Sequence, residues 1–275
     1  MGPTKFLIPS NSLTALRMKQ VRSAYESRNF VKTVVESEEL LDTDCDNIEA
    51  LMFLGSACLE LTDGLGAEAA FSRCLELRPD DLESQLGLGL ALYELTDFVG
   101  AKKCFEAVLV QNPESAESLY FMGMSEIFLG DVPKAKVLLS QAEEFAPEAF
   151  PILEMPTSGQ FEELIEEAVG LIEPSGLRDW IGSIPFGLFD VPPVETLRSS
   201  LPPLSPHNIA LIVGDDSAGS HGMSITVPDC IEVYRLNLMR IGVSGGSITE
   251  QLAEALESQA EKWRHEIEIE PETSG

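Results

Sequence analysis

LESQLGLGLALYELTDFVGAKKCFEAVLVQNP, running from Leu82 to Pro113, decides the fold of the first half of this chain. The stretches on either side repeat its pattern at a period of 34 residues. Pro79, Pro113 and Pro147 keep that spacing, as do Gly55, Gly89 and Gly123, and also Ala67, Ala101 and Ala135. Two further columns hold large apolar residues: Leu54, Leu88 and Met122, then Phe71, Phe105 and Leu139. With only 21 Gly and 17 Pro in 275 residues, such aligned triplets are not chance.

Each column has a mechanical reason. A glycine lets the first helix of a pair approach the second without a Cβ in the way. The alanine sits opposite it for the same reason. The aromatic or leucine four residues on lies one helical turn further along the same seam. Proline cannot continue a helix, so it ends the second helix and begins the next unit. These columns resemble the tetratricopeptide repeat, and the resemblance implies an all-α solenoid of stacked helix pairs over 14–150. Its units are 48–81, 82–115 and 116–149. A degenerate first copy at 14–47 carries Val21, Thr33 and Cys45 in the Gly, Ala and Pro columns, while its Phe30 matches Phe98. A terminal repeat is expected to be atypical because it caps the stack.

By the same resemblance, partners bind the concave face made by the first helix of each pair. The groove-facing columns then fall at Met52, Ser56, Leu59 and Glu60, at Leu86, Leu90, Tyr93 and Glu94, and at Tyr120, Met124, Ile127 and Phe128. This expected groove is apolar and aromatic with an acidic rim. Arg22 is its one basic side chain, so a Lys/Arg/Asn clamp for a terminal carboxylate is disfavoured. A partner helix or an extended hydrophobic segment fits better. The competing reading is that these side chains are covered, by neighbouring helices or in cis by the C-terminal half. Cys58, Cys74 and Cys104 fall on apolar helix faces and read as packing residues.

Residues 151–159, PILEMPTSG, break the period and read as a linker. The amphipathic stretch QFEELIEEAVGLIE (160–173) predicts a helix with Phe161, Leu164, Ile165, Ala168 and Leu171 on its apolar stripe. A Pro-rich insert at 174–206 predicts turns and a little helix near 194–199. Asn208–Gly214, Met223–Val227 and Cys230–Met239 read as strands. Gly242–Gly246 reads as a loop, and Ser247 as the cap of a last helix ending near Trp263. The segments FEELIEEAVGLIE, NIALIVGDD and VPDCIEVYR resemble a small bacterial family of minimal zincin-like metallopeptidases. That resemblance implies a small α+β domain over 160–264 and an acidic tail over 265–275.

The catalytic motif of that family is missing. HExxH places two His one helical turn apart on a zinc ion, with the Glu beside the first polarising a bound water. In the natural frame of the last helix, the five positions read Ser258, Gln259, Ala260, Glu261 and Lys262. Glu257, Glu261 and His265 share one helix face and remain weak candidates for a metal, against the plainer reading of a solvated acidic face. His265-Glu266 carries two letters of the motif but Ile269 where the second His belongs. His207 and His221 have no ligand pattern around them. No nucleophile elbow, P-loop or dinucleotide-binding glycine pattern is present.

Composition bounds the rest. The length of 275 residues suits two domains, and 46 acidic against 18 basic residues give a formal charge of −28. Such a field repels phosphate backbones and anionic lipid, so nucleic-acid and membrane binding are disfavoured. No apolar run of about 18 residues is present, and the N-terminal apolar patch is too short for a secretion signal. Five Cys without a CxxC pair suit a reducing cytoplasm. Three functional readings follow. The first is a non-enzymatic interaction protein with a catalytically inactive zincin-like domain, a protein or peptide partner and no cofactor. The others are an acidic chaperone-like protein and an atypical metal-dependent hydrolase.

Overall fold

A computed structural model describes residues 10–152, 154–200, 202–215, 227–243 and 247–268. The chain forms two compact units. One holds the chain up to Phe150 together with Arg198–Ser205; the other holds Pro151–Leu197 and the chain from Pro206 onward.

The first unit is four helix pairs: α1 (Ser10–Glu26) with α2 (Phe30–Leu41), α3 (Ile48–Glu60) with α4 (Gly64–Leu77), α5 (Leu82–Glu94) with α6 (Phe98–Gln111), and α7 (Ala116–Phe128) with α8 (Val132–Phe145). Their ends repeat as faithfully as their cores. Asn29, Asp63, Asp97 and Asp131 each accept the N–H three residues on and start the second helix of their pair. Asn47, Asp81 and Ser115 do the same for the first helices. The residue before each second-helix cap is left-handed: Arg28 at φ 55°, Thr62 at 56°, Thr96 at 60° and Gly130 at 86°. The same turn therefore recurs four times, first repeat included, and only one copy uses the residue that adopts it without strain. Before each period proline, Arg78, Asn112 and Ala146 leave the helical region, at φ −139°, −129° and −145°, as a following proline favours.

The glycine column does more than admit a neighbouring backbone. A Cβ on Gly55 would stand 2.7 Å from the ring of Phe71, and one on Gly123 would stand 3.0 Å from Leu139. Phe71 is held from two sides, because a Cβ on Gly87, in the next repeat, would lie 2.5 Å from the same ring. The position equivalent to Gly87 in the last repeat is Phe121, whose ring stacks on Phe105 at 6.2 Å. Val21 and Thr33 of the degenerate repeat are fully buried, as their columns require.

The second unit is α+β. Its three-stranded sheet has the order β1 (Phe186–Phe189), β3 (Val227–Tyr234), β2 (Ala210–Asp215). β1 pairs with β3 in parallel and β2 pairs with it antiparallel. Helices α9 (Ser158–Leu171), α10 (Ser175–Gly182), α11 (Val194–Leu197), α12 (Arg235–Val243) and α13 (Ile248–Glu268) complete it. Ile231 and Val233 of β3, Ile212 of β2, Phe161, Ile165 and Ala168 of α9 and Leu252 and Leu256 of α13 share one core.

Several expectations change here. The 174–206 insert is not only turns, for it supplies α10 and β1. It is divided as well, since 198–205 belongs to the repeat unit. The strand read over 230–239 stops at Tyr234 and turns into α12. Alternation of apolar and polar residues over Arg235–Met239 is too short to exclude a helix. Leu171 is exposed and Ile172 is buried in its place. Ser247 caps α13 through the Glu250 N–H, but the helix continues to Glu268, so 264 is not an element boundary. The Met223–Thr226 part of the expected second strand, His221 and residues 269–275 of the tail lie outside the described residues.

Candidate functional site

The first helices of the repeats, α1, α3, α5 and α7, carry the columns expected to face a partner. Toward the C-terminal end of the stack three of these side chains are buried. Tyr93 is 1% exposed, Met124 4% and Tyr120 8%. The Tyr93 ring meets Phe98, Phe121 and Phe128 edge-on with centroids 5.3, 5.4 and 5.9 Å away, and Phe98 stacks on Phe128 at 4.2 Å. Tyr120 stacks on Phe150 at 4.8 Å. These aromatic side chains satisfy one another, so Tyr93, Tyr120 and Met124 are core rather than groove. Leu86, Leu90, Ile127 and Phe128 are half-buried, and Leu59 packs beside the Cys58, Phe71 and Ala91 cluster.

The open part of the face lies at the other end. Two clefts run over α1, α3 and the start of α5 and share Glu49 as a wall. One, of about 520 Å³, is lined by Tyr25, Ile48, Met52, Phe53, Ser56, Arg78, Asp81 and Glu83. The other, of about 740 Å³, is lined by Thr14, Met18, Lys19, Arg22, Asp44 and Asn47. Met18, Arg22 and Tyr25 stand 34 residues before Met52, Ser56 and Leu59. They are the first-repeat copies of the groove columns, and carrying those columns back one period would have found Met18 and Tyr25 beside Arg22.

The clefts are built from ordinary local chemistry. Asp81 caps α5 by accepting the Ser84 N–H and hydroxyl, and the Ser84 hydroxyl lies 3.1 Å from the Met52 sulfur. Tyr25 packs edge-on against Phe53 and Phe30, at 5.2 and 5.6 Å. Arg22 donates to Glu49 at 2.6 Å, so the one basic groove residue seen in the sequence is held by a carboxylate rather than offered to a ligand. With Glu49 taken up by Arg22, Asp81 and Glu83 face Arg78 in the first cleft, which sets its aromatic and apolar side chains in a polar rim with a small acidic surplus.

One buried charge cluster stands apart. Glu126 of α7, 2% exposed, receives Lys134 at 2.6 Å and Lys102 at 2.9 Å on a single carboxylate oxygen. Burial alone would raise this carboxyl, but the Lys134 and Lys102 hydrogen bonds hold it below the ordinary carboxylate range. It joins α6, α7 and α8. Burial raises the Cys74, Cys104 and Cys230 thiols, and with Asp63 and Glu38 nearby pushes Cys58 up to about 11.

Of the weak metal candidates, Glu257 and Glu261 have described side chains. Glu257 accepts the backbone N–H of Glu173 at 3.2 Å, which ties α13 to the end of α9, and Glu261 is exposed. The side chain of His265 lies outside the described residues. Among the described residues no three His, Cys, Asp or Glu side chains gather around a common point. No described helix is long and apolar enough to cross a membrane.

No protein-family model and no curated protein matches the chain, so the zincin-like resemblance of its second half gains no support. Solved structures similar to this chain include YrrB, described as a TPR protein with an unusual peptide-binding site. It is 21% identical with a TM-score of 0.47, over 50% of this chain and 71% of that one. MamA is 18% identical with a TM-score of 0.46, over 61% of this chain and 85% of that one. A thermophilic TPR protein of Thermus thermophilus is 19% identical with a TM-score of 0.42, over 49% and 75%.

Proposed function

We propose that this chain is a non-enzymatic binding protein whose repeat unit takes a short extended protein segment in the clefts over α1, α3 and α5. The observation that carries the reading is the contrast along the stack. Clefts lie over α1, α3 and the start of α5, whereas Tyr93, Tyr120 and Met124 are buried toward the other end of the stack. The lining selects the ligand. Tyr25, Met52 and Phe53 offer apolar contact, and Asp81 and Glu83, opposed by Arg78 once Glu49 is paired with Arg22, favour a lysine or arginine beside it. A segment with a basic residue flanked by apolar ones fits. In this reading the second unit, whose sequence resembles a metallopeptidase without its HExxH pair, performs no hydrolysis, and the protein works in the cytoplasm.

The test is selection of peptides from a random display library on the full chain. Basic-apolar sequences are expected to be enriched. Their affinity should fall about tenfold or more in Glu83→Arg, an exposed change that reverses one wall charge. Enrichment of acidic sequences, or equal binding to Glu83→Arg and wild type, would sink the reading.

A further inference from the structure

The four left-handed turns of the stack provide an internal comparison. Arg28, Thr62 and Gly130 are exposed, but Thr96, in the same backbone conformation, is 1% exposed. Leu61 and Leu129, each one residue before its turn residue, are exposed, and their counterpart Leu95 is half-buried. What distinguishes the α5–α6 turn is a strap. Arg198–Ser205 returns from the second half of the sequence to the repeat unit. Arg198 donates to the Thr96 carbonyl at 2.6 Å and to its hydroxyl at 3.1 Å. At the other end of the strap, Ser205 donates to the Glu94 carboxylate at 3.0 Å.

The strap is attached in a way that permits release. Polar bonds from Arg198 and Ser205 fasten its two ends, and none of its described residues belongs to the buried core. Arg198, Ser199, Ser200 and Pro202 are exposed and Pro203, Leu204 and Ser205 half-buried, while Leu197 and Pro206, which flank it, are buried. A segment anchored at both ends and held by polar bonds near the surface belongs to the low end of the local-opening scale. The ground it covers is acidic, with Glu94 and Asp97 on either side of Thr96.

We propose that the α5–α6 turn is a docking site for an extended, arginine-bearing Ser/Pro-rich protein segment, filled in this chain by Arg198–Ser205, and that a partner segment of the same chemistry displaces the strap. The recognising groups are the left-handed Thr96 carbonyl and hydroxyl, which take a guanidinium, and the Glu94 carboxylate, which takes a hydroxyl seven residues on. The tether gives the strap a high effective concentration, so an outside segment competes at a disadvantage that weakening the strap removes. This site is separate from the clefts over α1, α3 and α5.

The test uses the full chain and a labelled synthetic peptide with the sequence of Arg198–Ser205, followed by NMR titration. Arg198→Ala should bind the peptide about tenfold or more tightly than wild type does, because the competitor in cis is weakened. Adding Glu94→Ala to Arg198→Ala should abolish the gain. Equal affinity of wild type and Arg198→Ala, or a gain that survives Glu94→Ala, overturns the proposal. A second measurement needs no variant. The Asp97 amide, bonded to the Leu92 carbonyl at 2.9 Å, has internal references in Asp63 and Asp131, bonded likewise at 2.8 Å. It should exchange with solvent about tenfold more slowly than they do, and the added peptide should leave the wild-type rate unchanged at low concentration. Equal exchange at the three amides also overturns the proposal.

Discussion

Gly89 and Phe105 compete for one volume: a Cβ added to Gly89 would lie 2.6 Å from the Phe105 ring. The two residues sit on the facing helices α5 and α6, and the absent side chain of one is the seat of the other. Gly89→Ala should therefore cost about 1–3 kcal/mol through overpacking. Phe105→Ala should cost about 3–5 kcal/mol through the cavity it leaves. The two should couple. In a Phe105→Leu background the cost of Gly89→Ala should shrink, because Leu139 opposite Gly123 stands off at 3.0 Å. Denaturant unfolding of the four variants measures the coupling, and strict additivity would refute a shared volume.

Tyr93 and Phe128 test the closed end of the stack. If they are core, Tyr93→Ala should lower stability by about 3–5 kcal/mol, and the double variant with Phe128→Ala should melt far below wild type. A double variant that keeps its melting temperature and loses a ligand would restore these residues to a groove.

Glu126 sets part of the acid stability. A carboxyl held low in the folded state contributes stability that is fully present above its unfolded value, about 4.3. That contribution is lost as pH falls through the lower folded value. Glu126→Gln should cost about 1–2 kcal/mol at neutral pH and progressively less as pH falls below about 4. Melting temperature against pH for both chains is the measurement, and parallel curves would show that the Lys102–Glu126–Lys134 cluster contributes nothing.

The thiols should divide by burial. Cys45 is exposed, whereas Cys58, Cys74 and Cys104 are buried. At pH 8 a thiol pushed up to about 11, as Cys58 is, is ionised on the order of one part in a thousand. Iodoacetamide followed by mass spectrometry should modify Cys45 in the native chain and reach Cys58 only on unfolding. Early modification of Cys58 would show that α3 opens locally.

The repeat half was legible because its constraints are local and recur. Prolines, glycines and small residues 34 apart report helix ends and seams whatever surrounds them. The cap column Asn29, Asp63, Asp97, Asp131 was equally visible, and it would have secured the first repeat, where the Gly, Ala and Pro columns fail. What the sequence did not separate was core from groove, because Tyr25 and Tyr93 stand at equivalent ends of their helices and differ in what packs on them. The strap was illegible for another reason. Arg198 and Thr96 are 102 residues apart, and Arg198 lies beyond the last repeat, where the columns no longer apply. The short β1 strand was hidden in the same insert, since FGLF is too brief for alternation to register.

The recurrent caps and turns have a consequence for how such a chain can change. Each repeat closes its own ends, so the number of 34-residue blocks is free as far as caps and turns go. The order of the blocks is not. Phe71 requires a glycine in the following block, at Gly87, while Phe105 meets Phe121 at the corresponding place. Exchange of two blocks would set a ring against a ring in one seam and leave a hollow in the other. The ends of these repeats behave as interchangeable couplings, and their seams as keyed ones.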